Sequence, residues 1–169
     1  MAEGTNRERL QPSLLDRLTD SAPEYRKESL DQQSLSMIQL RQAVLRDLAW
    51  LLNTSNLAAV DEIEAYPLTN ASTVNYGVPG FTGMIGARDK AQALENAIAE
   101  AIKRFEPRIR PHTLRVRARE DSGNLAVPTL VFEIRGELWA QPVPLQLFLE
   151  TSLDIETRLA VVTDVKARG

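Results

Sequence analysis

The chain has 169 residues, no cysteine, a single histidine (His112) and a net charge of −3, which gives length for one domain with a real core and excludes disulfides, thiolate metal sites and histidine-rich zinc sites. Hydrophobic residues make up 43% and charged residues 25%, ordinary for a globular protein, and the acidic balance speaks against a general nucleic-acid binder. No run approaches the roughly 18 apolar residues of a membrane span, and the polar start Met1 to Arg9 lacks the apolar stretch of a secretory signal, so a cytoplasmic address is expected.

Residues 1–11 are polar and expected to be disordered. Pro12-Ser-Leu-Leu-Asp-Arg-Leu18 follows, with Pro at the first turn and Leu14, Leu15 and Leu18 on one side, so a short amphipathic helix is expected over 12–20. Such a helix is too short to stand alone and must dock, on its own domain or on a partner. The polar linker Thr19 to Gln33 would let it reach away. The expected division is a flexible segment 1–33 followed by one α+β domain, 34–169.

Ser34 to Leu52 reads as a long helix. Met37, Leu40, Val44, Leu48 and Leu51 recur at helical spacing, Ile38, Leu45 and Leu52 widen the stripe, and Arg41, Gln42, Arg46 and Asp47 fill the other face. Leu57 to Arg88 has little periodicity, with a tight turn at Asn75-Tyr-Gly-Val-Pro-Gly80. Glycines at 77, 80, 83 and 86 match neither the dinucleotide fingerprint nor the Walker pattern, so the expectation is a structured loop packed on the sheet and no nucleotide cofactor. Phe81 and Met84 are alternative partner contacts in that loop. Asp89 is the expected N-cap of the next helix, whose buried stripe is Leu94, Ala97, Ile98, Ala101, Ile102 and Phe105. Glu95, Glu100, Lys103 and Arg104 are assigned to its exposed face.

Pro107 removes a backbone donor and disfavours helix at Glu106, so the helix stops there. Glu106 then lies at the negative end of the helix dipole, where a carboxylate is the wrong charge. It is either a surface residue on a frayed helix end or the partner of a cation, with Arg108 the local candidate and a distant arginine or backbone amide the other. An exposed internal pair would be worth ~0–1 kcal/mol, so Arg108→Ala would barely move the melting temperature. A pair buried by an assembly would be worth roughly 2–5 kcal/mol of binding.

After Arg108 the pattern alternates at period two. Leu114, Val116 and Ala118 face one way and Arg115, Arg117 and Arg119 the other; Asp121 to Asn124 is a turn; Leu130, Phe132, Ile134 and Leu138 point inward. Antiparallel pairing around the turn places Arg117 opposite Glu133, which makes the arginine row a neutralised sheet face rather than a phosphate track. A third strand is expected over Pro144 to Thr151 and a last one over Leu159 to Val165, joined by a turn at Asp154 to Arg158. The fold class is α+β, with two main helices packed on a three- to four-stranded, largely antiparallel sheet and a short N-terminal docking helix. Such a sheet has open edges, which a partner strand can use.

The ordered set Pro12-Ser-Leu-Leu-Asp-Arg-Leu18, Asp47-Leu-Ala-Trp-Leu-Leu-Asn53, Asn75-Tyr-Gly77, Phe105-Glu-Pro-Arg108 and Thr151-Ser-Leu-Asp154 resembles the phage baseplate wedge family historically labelled lysozyme-like. More narrowly it resembles the E subunit of the bacterial type VI secretion baseplate, over about residues 12–165. One departure is Glu156-Thr157-Arg158, where a glycine is expected. The resemblance implies a structural subunit that meets other wedge subunits and the sheath, with no cofactor, metal, nucleic acid or small-molecule substrate. It assigns partner binding to Glu106, Pro107 and Arg108 and to Leu14, Leu15 and Leu18. The old label implies the alternative, a peptidoglycan hydrolase. That chemistry needs two carboxylates flanking the bond, one with a raised pKa; Arg108 beside Glu106 is wrong for such an acid, and no second carboxylate stands out.

Overall fold

A computed structural model describes residues 13–19, 37–60, 62–63, 65–80, 88–120, 129–139, 145–154 and 159–165. Four α-helices occur in it: α1 (Leu14–Leu18), α2 (Met37–Leu52), α3 (Pro67–Asn70) and α4 (Arg88–Phe105). Four strands follow them: β1 (Arg115–Glu120), β2 (Thr129–Leu138), β3 (Leu145–Asp154) and β4 (Ala160–Asp164). The strands form one antiparallel sheet in the order β1-β2-β3-β4. The expectations for residues 1–11, the linker after Thr19, the helix start at 34–36, Phe81, Gly83, Met84, Gly86 and the turns at 121–124 and 155–158 lie outside the described residues.

Alternation sets which face of the sheet is buried. Val116 lies opposite Ile134, Ala118 opposite Phe132 and Ile134 opposite Leu149, so one face carries a continuous apolar surface. Both long helices cover that face: α2 packs against β4, α4 against β1, and the two touch each other. Leu40, Val44, Leu48 and Leu51 from α2 and Leu94, Ile98 and Ile102 from α4 join Phe132, Ile134, Leu147 and Leu149 in a single core. Each such side chain contributes roughly 1.5–3 kcal/mol by burial, and truncating Phe132 would cost about 3–5 kcal/mol.

Several expectations need correction. Ile38 is 70% exposed, because the stripe of α2 is completed by Ala43 rather than widened on its side. Asp89 is not the cap of α4, since the helix already includes Arg88. Glu95 is not a solvated residue; its carboxylate accepts the Ala118 N–H at 2.7 Å and so closes one position on the outer edge of β1. Strand β3 runs on to Asp154, since Thr129 and Leu130 of β2 offer partners to Asp154 and Leu153, and β4 is shorter than expected at both ends.

The register Arg117↔Glu133 forms as expected. The charges settle differently: Glu133 engages Arg135 at 2.7 Å and Arg119 at 3.6 Å, while Arg117 lies 3.8 Å from Glu95. Long arginine side chains reach diagonal neighbours as readily as the residue opposite.

The segment after α2 doubles back to pair with the residues that directly follow that helix. Val78 accepts from the Asn56 N–H and donates to the Thr54 carbonyl, a short parallel pairing that buries Val78 in the core. Gly77 makes the turn with φ +121°, and a Cβ there would sit 2.3 Å from the Thr54 oxygen. Only glycine fits.

Candidate functional site

The site is built where α4 ends. The Glu106 N–H makes the last helical bond, to the Ile102 carbonyl. Pro107 cannot extend the helix, and the chain turns so that Ile109 bridges to Leu138 at the end of β2. The Arg108 carbonyl accepts from the Trp139 N–H at 2.7 Å, and the Arg110 N–H donates to the Glu137 carbonyl at 2.9 Å. The turn is thus stitched to the sheet on its far side while Glu106 and Arg108 face α2.

Glu106 is not a frayed surface residue; it is 3% exposed. Its Oε1 accepts from Arg108 Nε at 2.6 Å and from the Arg108 backbone N–H at 3.2 Å, and its Oε2 accepts from Arg108 Nη2. This is the two-pronged carboxylate–guanidinium geometry that arginine alone provides. The pairing is internal to the chain, so the expectation of an exposed pair worth little does not hold for Glu106. The same Nη2 donates to Asp47 Oδ2 at 2.5 Å.

From Asp47 the network runs outward. Arg46 Nε donates to Asp47 Oδ1 at 2.9 Å, and Arg46 Nη1 donates to Asp16 Oδ1 at 2.6 Å. The other Asp16 oxygen accepts from the Ser13 hydroxyl at 2.6 Å, and Ser13 caps α1 by accepting the Asp16 N–H. Charges alternate in sign from Asp16 through Arg46, Asp47 and Arg108 to Glu106, joining α1, α2 and the end of α4.

The electrostatics follow from this chain. Burial opposes the charge of Arg108, but hydrogen bonds and charge from Glu106 and Asp47 outweigh it and raise the guanidinium pKa. The Arg46 hydrogen bond holds the Asp16 carboxyl below its ordinary value. Burial, aided by the charges of Asp47 and Glu106, pushes the Tyr76 hydroxyl up. Arg108 keeps one buried donor, Nη1, with no hydrogen-bond partner among the described residues.

Beside the network lies a cavity of about 270 Å³, lined by Ser13, Leu15, Trp50, Tyr76, Phe105 and the Asp47–Arg108–Glu106 cluster. Tyr76 and Phe105 meet edge to face with centroids 5.2 Å apart, and the Arg46 guanidinium lies 5.0 Å over Trp50. Helix α1 approaches through Ser13, Leu15 and Asp16 and turns its other leucines outward, with Leu14 71% and Leu18 75% exposed. Pro107 is exposed.

The structure therefore brings Glu106 and Arg108 together with Leu15, and leaves Leu14, Leu18 and Pro107 at the surface. Sequence reasoning missed Asp47, Arg46 and Asp16 as members of the site. Asp47 and Asp16 stand within the motifs that carry the family resemblance, but nothing in α2's periodicity singles out Asp47 from other charges on its polar face. Asp47 is also the second carboxylate near Glu106, yet Arg108 is bonded to both, and both Glu106 oxygens already accept from Arg108. A glycosidase acid must instead present a proton to the leaving oxygen. No helix among the described residues is long and apolar enough to cross a membrane.

None of the curated proteins matches the chain. The model of the family described as Baseplate wedge protein gp25 matches residues 38–143, more than half of the chain, from α2 through the Glu106–Arg108 turn to just beyond β2. This chain belongs to the baseplate wedge protein gp25 family and is a structural, non-enzymatic subunit of a contractile tail-like machine.

Proposed function

We propose that the chain serves in the baseplate of a type VI secretion system, at the cytoplasmic side of the inner membrane, where it joins the other wedge subunits to the sheath. The ordered motifs from Pro12 to Asp154 support the narrower family. The observation that carries sheath attachment is the character of β4. Asn53, at the end of α2, accepts from the Ala160 N–H and donates to the Ala160 carbonyl, both at 2.9 Å, so the Ala160 peptide groups face away from β3. Val162 has the same parity and turns its N–H and C=O to the same outer side. Beside it Val161 is 58% exposed and Thr163 is uncharged. The opposite edge strand, β1, carries Arg115, Arg117 and Arg119, the kind of charge that guards an edge against pairing. Asp164, the one charged residue of β4, is ion-paired with Arg41 of α2, and the β-branched run from Val161 to Thr163 is the part of this edge suited to an added strand.

Wedge contacts belong to α1 and the Glu106–Arg108 turn. The outward leucines of α1 offer an apolar anchor, with Glu106, Pro107 and Arg108 shaping the turn beside it.

Amide hydrogen exchange with and without purified sheath protein tests the attachment. Binding by strand addition protects the outward Val162 amide and leaves the already paired Val161 and Thr163 amides little changed. Equal protection of all three, or of none, removes the support for β4.

A further inference from the structure

Given the strand addition to β4 proposed above, on which this rests, we infer that the outer flank of α2 is the second wall of the receiving groove. The sheath segment that enters it then carries apolar side chains at every second position, on the side turned to α2.

Helix α2 runs antiparallel to β4 and is fastened to it at both ends. Near its start Arg41 pairs with both carboxylate oxygens of Asp164, and the two side chains are only 18% and 10% exposed. Just past its end Asn53 bonds the N–H and the C=O of Ala160. Among the described residues no strand pairs with β4 on its other side. A fifth strand would lie about 4.8 Å beyond β4, beneath the flank of α2 that is turned away from α4.

That flank is apolar. At about 100° per residue, Leu45, Ile38 and Ala49 fall roughly 40–80° round the helix from Arg41, away from the buried stripe of Leu40, Val44 and Leu48. Asp47, which meets Arg108 at the end of α4, falls on the opposite flank. Ile38 is 70% exposed, while Leu45 and Ala49 are half-buried. A single exposed isoleucine is ordinary, but this one continues a line begun by Leu45, which packs on the core. Val162 packs on the same core from the strand below, also half-buried. The core therefore runs out to the open edge between α2 and β4 and stops there without a cover.

The register follows. With Arg41 over Asp164 and Asn53 over Ala160, the turn of α2 between Leu45 and Ala49 lies over Val162. The residue of an added strand that stands opposite Val162 shares its face and turns into the space between Leu45 and Ala49, where the small alanine leaves room. Its neighbours stand opposite Val161 and Thr163 and turn to the other surface of the sheet, which the helices do not cover. Apolar residues are thus required at alternate positions only.

The test uses the full chain with a photoactivatable phenylalanine analogue at Ile38 and purified sheath protein as the probe. The expected product is a cross-link to one sheath segment in which apolar and polar residues alternate. Ile38→Lys changes an exposed position and is expected to leave the melting temperature within about 1–2 °C. It is expected to weaken sheath binding about five- to tenfold, and Ile38→Leu to retain it. Protection of the Val162 amide is followed in the same samples. An unprotected Val162 amide in the parent chain removes strand addition and this groove with it. Val162 protection together with undiminished binding by Ile38→Lys overturns the groove alone and leaves strand addition standing. So does protection with no cross-link, or with a cross-link to a segment without alternation, to residues 20–36 of this chain or to a second copy of it.

Discussion

Arg108→Ala is the most informative single perturbation. The guanidinium makes two side-chain bonds to Glu106 and one to Asp47, and the Glu106 side chain is only 4% exposed against 23% for Arg108. Removing it leaves a buried carboxylate whose remaining donor is the backbone N–H of residue 108, at 3.2 Å. Breaking one side of a buried ion pair costs about 3–5 kcal/mol. The partial exposure of Arg108 and the surviving backbone bond reduce this to about 2–4 kcal/mol. For a chain of this length that is a melting temperature roughly 5–15 °C lower. Arg108→Lys should recover only part of the loss, since an ammonium cannot span both Glu106 oxygens and Asp47. A double-mutant cycle with Glu106→Ala, read by thermal or urea melts, should give a coupling of about 1–3 kcal/mol. A melting temperature within about 1 °C of the parent for Arg108→Ala, or a coupling indistinguishable from zero, would show that the pair does not hold the turn.

Gly77→Ala should destabilise by at least about 2 kcal/mol in a urea melt, because a left-handed backbone and a Cβ against the Thr54 carbonyl coincide; an unchanged midpoint would contradict this. Asn53→Ala should cost about 1–2 kcal/mol and speed aggregation at high protein concentration, since it uncovers the Ala160 edge of β4; light scattering identical to the parent would count against it. Asp16 is held below the ordinary aspartate value of about 3.8 by Arg46, so its contribution to holding α1 is fully present above that value and is lost as pH falls through the lower folded pKa. Trp50 fluorescence in a Trp139→Phe background should therefore change below about pH 3.8, and Asp16→Asn should already show the altered signal at neutral pH. Identical spectra for Asp16→Asn and its parent at pH 7 would break that link.

The fold was largely legible because its signals are local. The helical stripe from Leu40 to Leu51, the period-two alternation from Leu114 to Leu138 and the stop at Pro107 each follow from residues close in sequence, and the register Arg117↔Glu133 follows from alternation around one turn. The site was half legible. Pro107 forces Glu106 to a helix end, and Arg108 is two residues away, so that pair could be named without coordinates. Asp47 could not, because it meets Arg108 across 61 positions of sequence, and only the packing of α2 against α4 decides which polar residue of α2 faces the turn. Glu95 and Asn53 were unreadable for a related reason: each caps a strand edge with a side chain, a role that leaves no periodic trace. The leucines of α1 show the reverse. Their pattern announced an apolar face, but the helix approaches its own domain through Asp16, Ser13 and Leu15 and presents Leu14 and Leu18 outward.

The proposed attachment of the sheath through β4 is tested most directly by an electron cryomicroscopy map of the assembled baseplate containing this chain. The expected map shows an extended sheath segment running alongside β4, with its backbone hydrogen-bonded to the outward N–H and C=O of Val162. A map in which the sheath contacts the chain elsewhere while that edge of β4 faces solvent would contradict it.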